Sequence, residues 1–475
     1  MFRTYALRRR IWWIAAGLLA AAGAATAAPL LSDTQTRMIQ SVLSRAADEG
    51  LDPNAYRSPN LSDPAAREAA VTSVLLEYMR DVRMGRPALK AQESDIALPP
   101  SNFDAAAALD EAVSQNSVET LLAGLGPAAP DYAKLKNLLA HYRRIATEGG
   151  WPMIGPGADP ALLRARLAFE DNITGLSDAS ALERFQGRNG LPQDGKLGQA
   201  TIAALNITAV AKADTITANM ERWRWMPRQL EQDRIVINAA DARLDLFLGG
   251  GKILSSRVIV GKPATPTPIL RAEGVGVTVN PAWTVPASIA AREILPKLKR
   301  NPAYLVSQDM ILLDGPPGDP QGLHINWRAI PAGHFPYKLR QNPGAKNALG
   351  RIKIELPNRF DVYLHDTPGQ AAFNAPHRDL SHGCVRVEKI LPLASYVLAG
   401  NMDAAGKIGD AVTGGGTGYL PLARKLPVYF LYWTAFVDDA GALQFRPDIY
   451  GRDRRMIDAR QNIRQAANLV KCSRA

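Results

Sequence analysis

The chain has 475 residues, of which 47% are hydrophobic and 21% are charged. This composition excludes an intrinsically disordered protein and predicts about two to four globular domains with buried cores. The formal net charge of +11 favours an anionic partner, either nucleic acid or an anionic cell surface. The basic residues are scattered and show no zinc-finger or RNA-binding pattern, so nucleic acid is the weaker option.

Residues 1–27 have the layout of a secretory signal peptide. Arg8, Arg9 and Arg10 precede an apolar run, and the small residues Ala25-Thr26-Ala27 follow it. An uncleaved membrane anchor is the alternative, because the run is near the minimum spanning length of about 18 residues. Alanine and glycine insert weakly, which favours cleavage after Ala27. In either case the rest of the chain is predicted to be exported.

Residues 28–170 show helical spacing of apolar residues, including a stripe from Tyr132 to Tyr142, and predict a helical scaffold domain. Residues 171–210 predict a helix, a glycine turn at 194–198 and a second helix. The latter unit resembles a small peptidoglycan-binding module. The alternative is a helical hairpin that belongs to the scaffold.

Residues 211–450 predict a β-rich domain built from hairpins. Short β-branched or alternating runs are separated by turns, and the predicted strands are 234–239, 243–248, 256–260, 360–364, 428–436 and 442–446. Residues 390–398 predict a helix, and 451–475 predict a basic tail, helical at most. Arg222-Trp223-Arg224-Trp225 precedes the domain, and packing between domains is its favoured use.

Residues 287–345 interrupt the strand pattern. The segment 287–299 is helical and basic, and a long Gly/Pro-rich stretch follows it. An insertion of this length favours a lid over a site, with Trp327 and Tyr337 as lining residues. An ordered loop without function is the alternative.

The chemistry concentrates in Ser381-His382-Gly383-Cys384-Val385-Arg386 and in Tyr363-Leu364-His365-Asp366-Thr367. A thiolate is a strong nucleophile, but a free thiol needs a base or a cationic environment that lowers its pKa. The imidazoles of His365 and His382 can supply the base, and the guanidinium of Arg386 supplies a positive charge. Gly383 allows a sharp turn that presents N–H groups to an oxyanion. The pattern predicts acyl transfer through a thioester on Cys384.

His365 is predicted to be the general base, because it ends an apolar run and a loop can return Cys384 beside it. His382 is assigned to the oxyanion hole and to packing, with Ser381 and Gly383 as supporting residues. The alternative is an inert buried Cys384 beside structural histidines. A bridge between Cys384 and Cys472 is a further possibility, which is disfavoured because Cys472 lies in the polar tail.

These two motifs resemble the active-site signature of the L,D-transpeptidases, the cysteine enzymes of peptidoglycan cross-linking. The segments 340–344, 347–351 and 356–358 are similar to the large periplasmic branch that carries a peptidoglycan-binding module. The resemblance implies a multidomain α+β fold with a helical N-terminal scaffold, a small helical peptidoglycan-binding module and a β-rich catalytic domain with a capping insertion. It implies a periplasmic enzyme.

The resemblance also implies the substrate. A peptide stem of the cell wall would be the acyl donor, a second stem the acceptor, and the product a 3→3 cross-link. Water as acceptor would give an L,D-carboxypeptidase, a protein amine would give an attachment enzyme, and an inert Cys384 would leave a wall-binding scaffold. Candidate substrate-binding residues are Arg386, Asp366, Tyr363 and Trp327.

Two roles stay open for Arg386, which can bind a substrate carboxylate or brace the loop; bracing is favoured. Asp366 and His365 are adjacent on a strand and face opposite sides, so a backbone carbonyl is an alternative partner for the imidazole. No metal or cofactor is implied, because His324, His334 and His377 are dispersed.

Overall fold

The computed structural model describes residues 31–59, 61–399 and 402–472. The predicted signal peptide at 1–27 lies outside these ranges. Within them, no helix is both long enough and apolar enough to cross a bilayer. The architecture is a multidomain α+β fold, as predicted, with a helical N-terminal region, a small helical module and a β-rich C-terminal domain.

The N-terminal region is a set of capped amphipathic helices. Ser32 begins the first helix with a capping box to Gln35, and Asp63 and Asp104 cap later ones through their side chains. Its elements are α1 (Asp33–Ser44), α2 (Pro64–Met84), α3 (Pro87–Lys90), β1 (Ile96–Ala97), α4 (Ala105–Ser114), α5 (Val118–Ala123) and α6 (Pro130–Thr147), with 3₁₀ turns at Ala46–Glu49 and Pro53–Tyr56.

The small module has its own apolar core. Its elements are α7 (Pro160–Ala168), α8 (Asp178–Arg188) and α9 (Gln199–Leu205), and α10 (Ala209–Arg224) leads out of it. Phe185 and Leu205 are fully buried at its centre. Leu163 and Leu167 of α7 belong to the same core, so we assign α7 to the module, ahead of the boundary expected at residue 171.

The β-rich domain begins with two hairpins and is then interrupted by the insertion. The first strands are β2 (Arg234–Asn238), β3 (Arg243–Leu248), β4 (Gly251–Gly261) and β5 (Ile269–Val279). The insertion contains β6 (Trp283–Val285), α11 (Ala287–Ile289), a π-helical turn at Ala290–Ile294, α12 (Leu295–Arg300), α13 (Tyr304–Ser307), β7 (Met310–Leu312), a 3₁₀ turn at Trp327–Ala329 and β8 (Leu339–Gln341). We call 283–341 the capping subdomain.

The remaining elements complete the sheet and add a C-terminal helix. They are β9 (Ile352–Glu355), β10 (Leu364–His365), a 3₁₀ turn at Gln370–Asn374, β11 (Asp379–Ser381), β12 (Val385–Val387), α14 (Ile390–Leu398), α15 (Met402–Thr413), β13 (Gly418–Leu431), β14 (Ala435–Val437), β15 (Leu443–Phe445) and α16 (Arg452–Cys472).

The main sheet closes on itself. Its strands follow the order β5-β13-β2-β3-β4-β12-β10-β9, and β9 pairs again with β5. Strand β5 was not predicted, because Gly274 and Gly276 interrupt its β-branched pattern. A Cβ at Gly276 would lie 2.4 Å from the Tyr419 ring, so a side chain at this position would displace that ring.

Two predicted strands have bounds that differ from the expected ones. Of the run 360–364, only Leu364 pairs in a strand, because Asn358 accepts from the Phe360 N–H and donates to the Val362 carbonyl, which holds the run in a loop. The predicted strand 428–436 breaks at Tyr432. The Trp433 N–H donates to the Asn238 side chain and the Thr434 N–H donates to the Asn219 side chain, so neither group pairs with a neighbouring strand.

The predicted tail is a docked helix rather than a free segment. Arg452, at the start of α16, is 1% exposed and pairs with Asp95 and Glu93 of the N-terminal region.

Trp223 of α10 stacks on Trp433 with ring centroids 4.5 Å apart. The packing use predicted for the segment 222–225 is therefore confirmed.

A buried ion cluster joins the small module to α10, and its removal gives a first prediction. Glu170 is 4% exposed, pairs with Arg166 and Lys212, and accepts from the Tyr142 hydroxyl. Burial alone would raise the pKa of Glu170, but the two cations hold it at about 2. This contribution to stability is present above about pH 4.5 and is lost as the pH falls towards 2.

Glu170→Ala is expected to lower the free energy of unfolding by about 3–5 kcal/mol, because it leaves two buried cations unpaired. Glu148→Ala is the matched control, since its pair with Arg144 is more than half exposed and contributes about 0–1 kcal/mol. Urea denaturation of both variants measures the difference. Equal midpoints would contradict this role for the cluster.

Candidate functional site

The two signature motifs lie on adjacent parallel strands. In the pairing of β10 with β12, Leu364 is opposite Val385 and His365 is opposite Arg386. Leu364 and Val385 are fully buried. Because successive side chains alternate between faces, His365 points to the other face, and Cys384, which directly precedes β12, is expected to present its thiol there. The strand spacings place their Cα atoms roughly 8 Å apart, a diagonal that two side chains can span.

The His365 imidazole is buried and held in one tautomer. Its Nδ1 lies 2.5 Å from the Asp366 carbonyl oxygen. A carbonyl can only accept, so Nδ1 carries the proton and Nε2 keeps a lone pair. Burial, together with the positive charge of Arg386, lowers the pKa of His365 to about 3. The side chain is therefore a neutral base at neutral pH, and a backbone carbonyl orients it.

Cys384 is a free, partly buried thiol. Its Sγ donates to the Asp361 carbonyl oxygen at 3.6 Å. Burial raises its pKa above the ordinary value, and hydrogen bonding from Tyr363 offsets this only in part. The expectation that nearby positive charge lowers this pKa is wrong, because desolvation outweighs it. The resting pair is a neutral thiol and a neutral imidazole.

The turn before the thiol is held by Ser381. Its hydroxyl donates to the Cys384 carbonyl at 2.5 Å and accepts from the Gly383 N–H at 3.1 Å. Gly383 has φ +115°, where another residue would be strained. Because the Gly383 N–H is engaged, its predicted oxyanion-hole role is corrected. The Cys384 N–H has no protein acceptor among the described residues and is the better candidate.

The His382 side chain lies between the Cys384 loop and the capping subdomain, and its contacts there are polar. Its Nε2 lies 2.5 Å from Glu293 Oε1 of the capping subdomain and 3.1 Å from Lys262 Nζ. The side chain is 31% exposed. Glu293 was missed from the sequence, although it is the single acidic residue in the basic stretch 287–300.

The candidate substrate-binding residues divide into two groups. Arg386 is partly buried, and its Nε has no hydrogen-bond partner within the described ranges, so no hydrogen bond to the loop supports bracing. Tyr363 lies beside the thiol, with its ring centroid 5.5 Å from that of His365. Both stay candidates for substrate contact.

Asp366 and Trp327 are corrected. The Asp366 carboxylate accepts from the Arg351 N–H at 2.8 Å and from the Gln370 amide at 3.1 Å, so it has a structural role. Trp327 is 2% exposed and stacks on Phe335 inside the capping subdomain. A buried ring cannot contact a substrate, and sequence spacing could not show that it faces inward.

The capping subdomain is a folded unit rather than a Gly/Pro-rich loop. Strands β6, β8 and β7 form a separate sheet, and its buried residues form their own core. The Glu293 contact joins it to the loop that carries Cys384. Among the described residues, no group of three or more His, Cys, Asp or Glu side chains could hold a metal ion. The Cys472 side chain lies outside the description.

Three family models match the chain. Residues 232–412 match the model described as the L,D-transpeptidase catalytic domain. By this match, the β-rich domain is similar to an L,D-transpeptidase catalytic domain. Before this L,D-transpeptidase domain, residues 166–205 match a peptidoglycan binding domain and residues 27–139 match a scaffold domain.

Relatives of the L,D-transpeptidase domain agree with this assignment. A Haemophilus influenzae protein named as an L,D-transpeptidase is 34% identical over 241 residues, which are 51% of this chain and 48% of that protein. The match therefore spans about half the length of the curated relative.

Two solved structures are also similar. An L,D-transpeptidase from Mycobacterium smegmatis is 14% identical, covers 42% of this chain and 58% of its own, and has a TM-score of 0.20. One from Stackebrandtia nassauensis is 13% identical, covers 64% and 92%, and has a TM-score of 0.21. Scores this low carry no argument about the arrangement of the domains.

Proposed function

We propose that the protein is an L,D-transpeptidase that forms 3→3 cross-links in peptidoglycan through a thioester on Cys384. The observation that carries the proposal is the shared face of β10 and β12. There His365 presents a neutral imidazole with a lone pair on Nε2, and Cys384 directly precedes β12 with a backbone N–H that has no protein acceptor among the described residues. This arrangement suits acyl transfer.

In the first half-reaction, Cys384 Sγ attacks the carbonyl carbon of the third residue of a tetrapeptide stem. His365 Nε2 takes the thiol proton as the S–C bond forms, and the Cys384 N–H donates to the developing oxyanion. Collapse of the tetrahedral intermediate breaks the C–N bond. His365 then returns the proton to the leaving amine, and D-alanine departs.

The pKa values support a proton transfer that is coupled to attack. A thiol with a raised pKa and an imidazole with a lowered pKa do not form a resting ion pair. The charge separation develops only when the oxyanion also forms and is stabilised beside it. Binding energy is then used in the transition state rather than in the ground state.

In the second half-reaction, the side-chain amine of another stem attacks the thioester. The C–N bond forms, the C–S bond breaks, and Cys384 leaves as a thiol after reprotonation through His365. Arg386 is proposed to bind a substrate carboxylate, because its guanidinium has an unpaired Nε. Tyr363 is proposed to line the donor site.

We infer a periplasmic location in the cell envelope, with peptidoglycan stems as partners. The peptidoglycan binding domain match and the net charge of +11 support this. The capping subdomain is proposed to close over the bound stem.

The test supplies the purified protein with a synthetic tetrapeptide stem, with and without a second stem as amine acceptor. Mass spectrometry follows three products: D-alanine, the hydrolysed tripeptide and the cross-linked dimer. We expect the dimer to dominate when the acceptor is present. Tripeptide alone would indicate a carboxypeptidase, and absence of all three products would indicate an inert wall-binding protein.

A further inference from the structure

The second half-reaction of the proposed function requires the loss of two protons. A side-chain amine on an alkyl chain has an ordinary pKa of about 10.4, so it arrives as an ammonium group at pH 7. One proton must leave before the nitrogen can attack, and the second leaves during attack. His365 can accept only one of them, and it is 5% exposed.

A second imidazole reaches the same loop from the solvent side. His382 lies two residues before Cys384, and its Nε2 is 2.5 Å from Glu293 Oε1. Lys262 Nζ lies 3.1 Å from the same nitrogen and 3.5 Å from the same carboxylate oxygen. The side chains of His382 and Glu293 are 31% and 40% exposed, so an incoming amine can reach them.

The contacts fix the tautomer of His382. A carboxylate accepts and an ammonium donates, so Nε2 can form a hydrogen bond with only one of its two neighbours, and Glu293 is the nearer. Nε2 therefore carries a proton and donates it to Glu293, and Nδ1 keeps a lone pair. A base oriented by a carboxylate through its other nitrogen is the usual arrangement of a proton acceptor.

Glu293 is held by a rigid element. It lies in the π-helical turn Ala290–Ile294, a rare conformation that is frequent at functional sites. Ala291 and Ile294 on either side are buried in the capping subdomain, so the carboxylate projects from a packed surface.

His382 lies two residues before Cys384 in the same loop, and the pair shares a charged neighbour, Arg386, with the thiol. The guanidinium of Arg386 interacts electrostatically with both Cys384 and Glu293. Burial alone would raise the pKa of Glu293, but the hydrogen bonds from His382 and Lys262 hold it below its ordinary value. The ionisable groups that face the pair are therefore Lys262, Arg386 and Cys384.

We propose that His382 accepts the first proton of the acceptor amine through Nδ1, with Glu293 as its positioning residue. The inference rests on the proposed function. The ammonium N–H bond breaks, the proton moves to Nδ1, and the imidazolium is stabilised by the Glu293 carboxylate. The free amine then attacks the thioester, its remaining excess proton passes through His365 to the leaving sulfur, and His382 releases its proton to solvent.

Glu293→Gln in the full chain tests this inference, because it keeps the shape and removes the charge. Acylation is followed by D-alanine release, and aminolysis by the ratio of dimer to hydrolysed tripeptide. At pH 7 we expect aminolysis to fall at least about tenfold more than acylation. Between pH 7 and 9 the dimer yield of the variant should rise by up to about tenfold per pH unit, following the free amine fraction.

Two further variants sharpen the result. Glu293→Asp should recover part of the aminolysis, because the carboxylate returns. Arg292→Gln removes the neighbouring exposed charge on the same turn and should match the unmodified protein in both half-reactions. An unchanged ratio in Glu293→Gln, or equal losses in acylation and aminolysis, would overturn the inference. A protein with all its natural residues that releases no D-alanine would instead overturn the proposed function.

Discussion

Replacing Cys384 with alanine is expected to reduce D-alanine release from a tetrapeptide stem by about 10⁴-fold or more. The thiol forms the bond to the acyl group in the proposed mechanism. Because the nucleophile and its base act together, loss of the nucleophile removes nearly all of the rate enhancement. Alanine removes a single sulfur atom from a partly buried position, so the fold should persist. The rate of D-alanine release at saturating stem measures the effect.

Cys472→Ala is the matched control, because the chain has only two cysteines. This variant should release D-alanine at the rate of the natural sequence. If the natural sequence releases D-alanine, equal activity of Cys384→Ala and Cys472→Ala would contradict the assignment of the nucleophile.

Replacing His365 with glutamine is expected to slow acylation by about 10²–10⁴-fold, the usual contribution of a positioned general base. Glutamine is polar and close in size, so it keeps a partner for the Asp366 carbonyl and limits the cost of a cavity. Circular dichroism of the variant checks that the fold is retained. Acylation within threefold of the natural rate would contradict the role of His365 as base.

The pH dependence of acylation gives an independent readout of His365. Its pKa is lowered to about 3, so the imidazole stays neutral as the pH falls from 7 to 5. We expect the acylation rate constant to change less than about twofold over this range. A base with the ordinary histidine pKa of about 6.5 would lose about 25-fold in rate between pH 7 and pH 5.

The residues proposed for the chemistry could be named from the sequence, but the groups around them could not. Cys384, His365 and the turn at Gly383 lie within short motifs whose chemistry is local. Glu293 lies far along the chain from His382, and only the folded capping subdomain brings the two together. No pattern in the sequence encodes that distance.

The burial of individual side chains was the second feature that the sequence could not predict. A tryptophan such as Trp327 can stack on a substrate, but this side chain is buried in the core of the capping subdomain. The pKa of Cys384 likewise depends on desolvation, which the motif does not show. The sequence also did not predict that the C-terminal helix is docked. Arg452 forms ion pairs with Glu93 and Asp95, which are distant in sequence and come close to it only in the folded chain.

The central claim is that Cys384 forms a thioester with the stem, and one measurement tests it most directly. The protein is mixed with a tetrapeptide stem without acceptor, quenched in acid within the first turnovers, digested and mapped by mass spectrometry. We expect the acyl group, a stem that has lost its terminal D-alanine, on the peptide that contains Cys384. Continued D-alanine release with no adduct on that peptide, or an adduct on Cys472, would contradict the account.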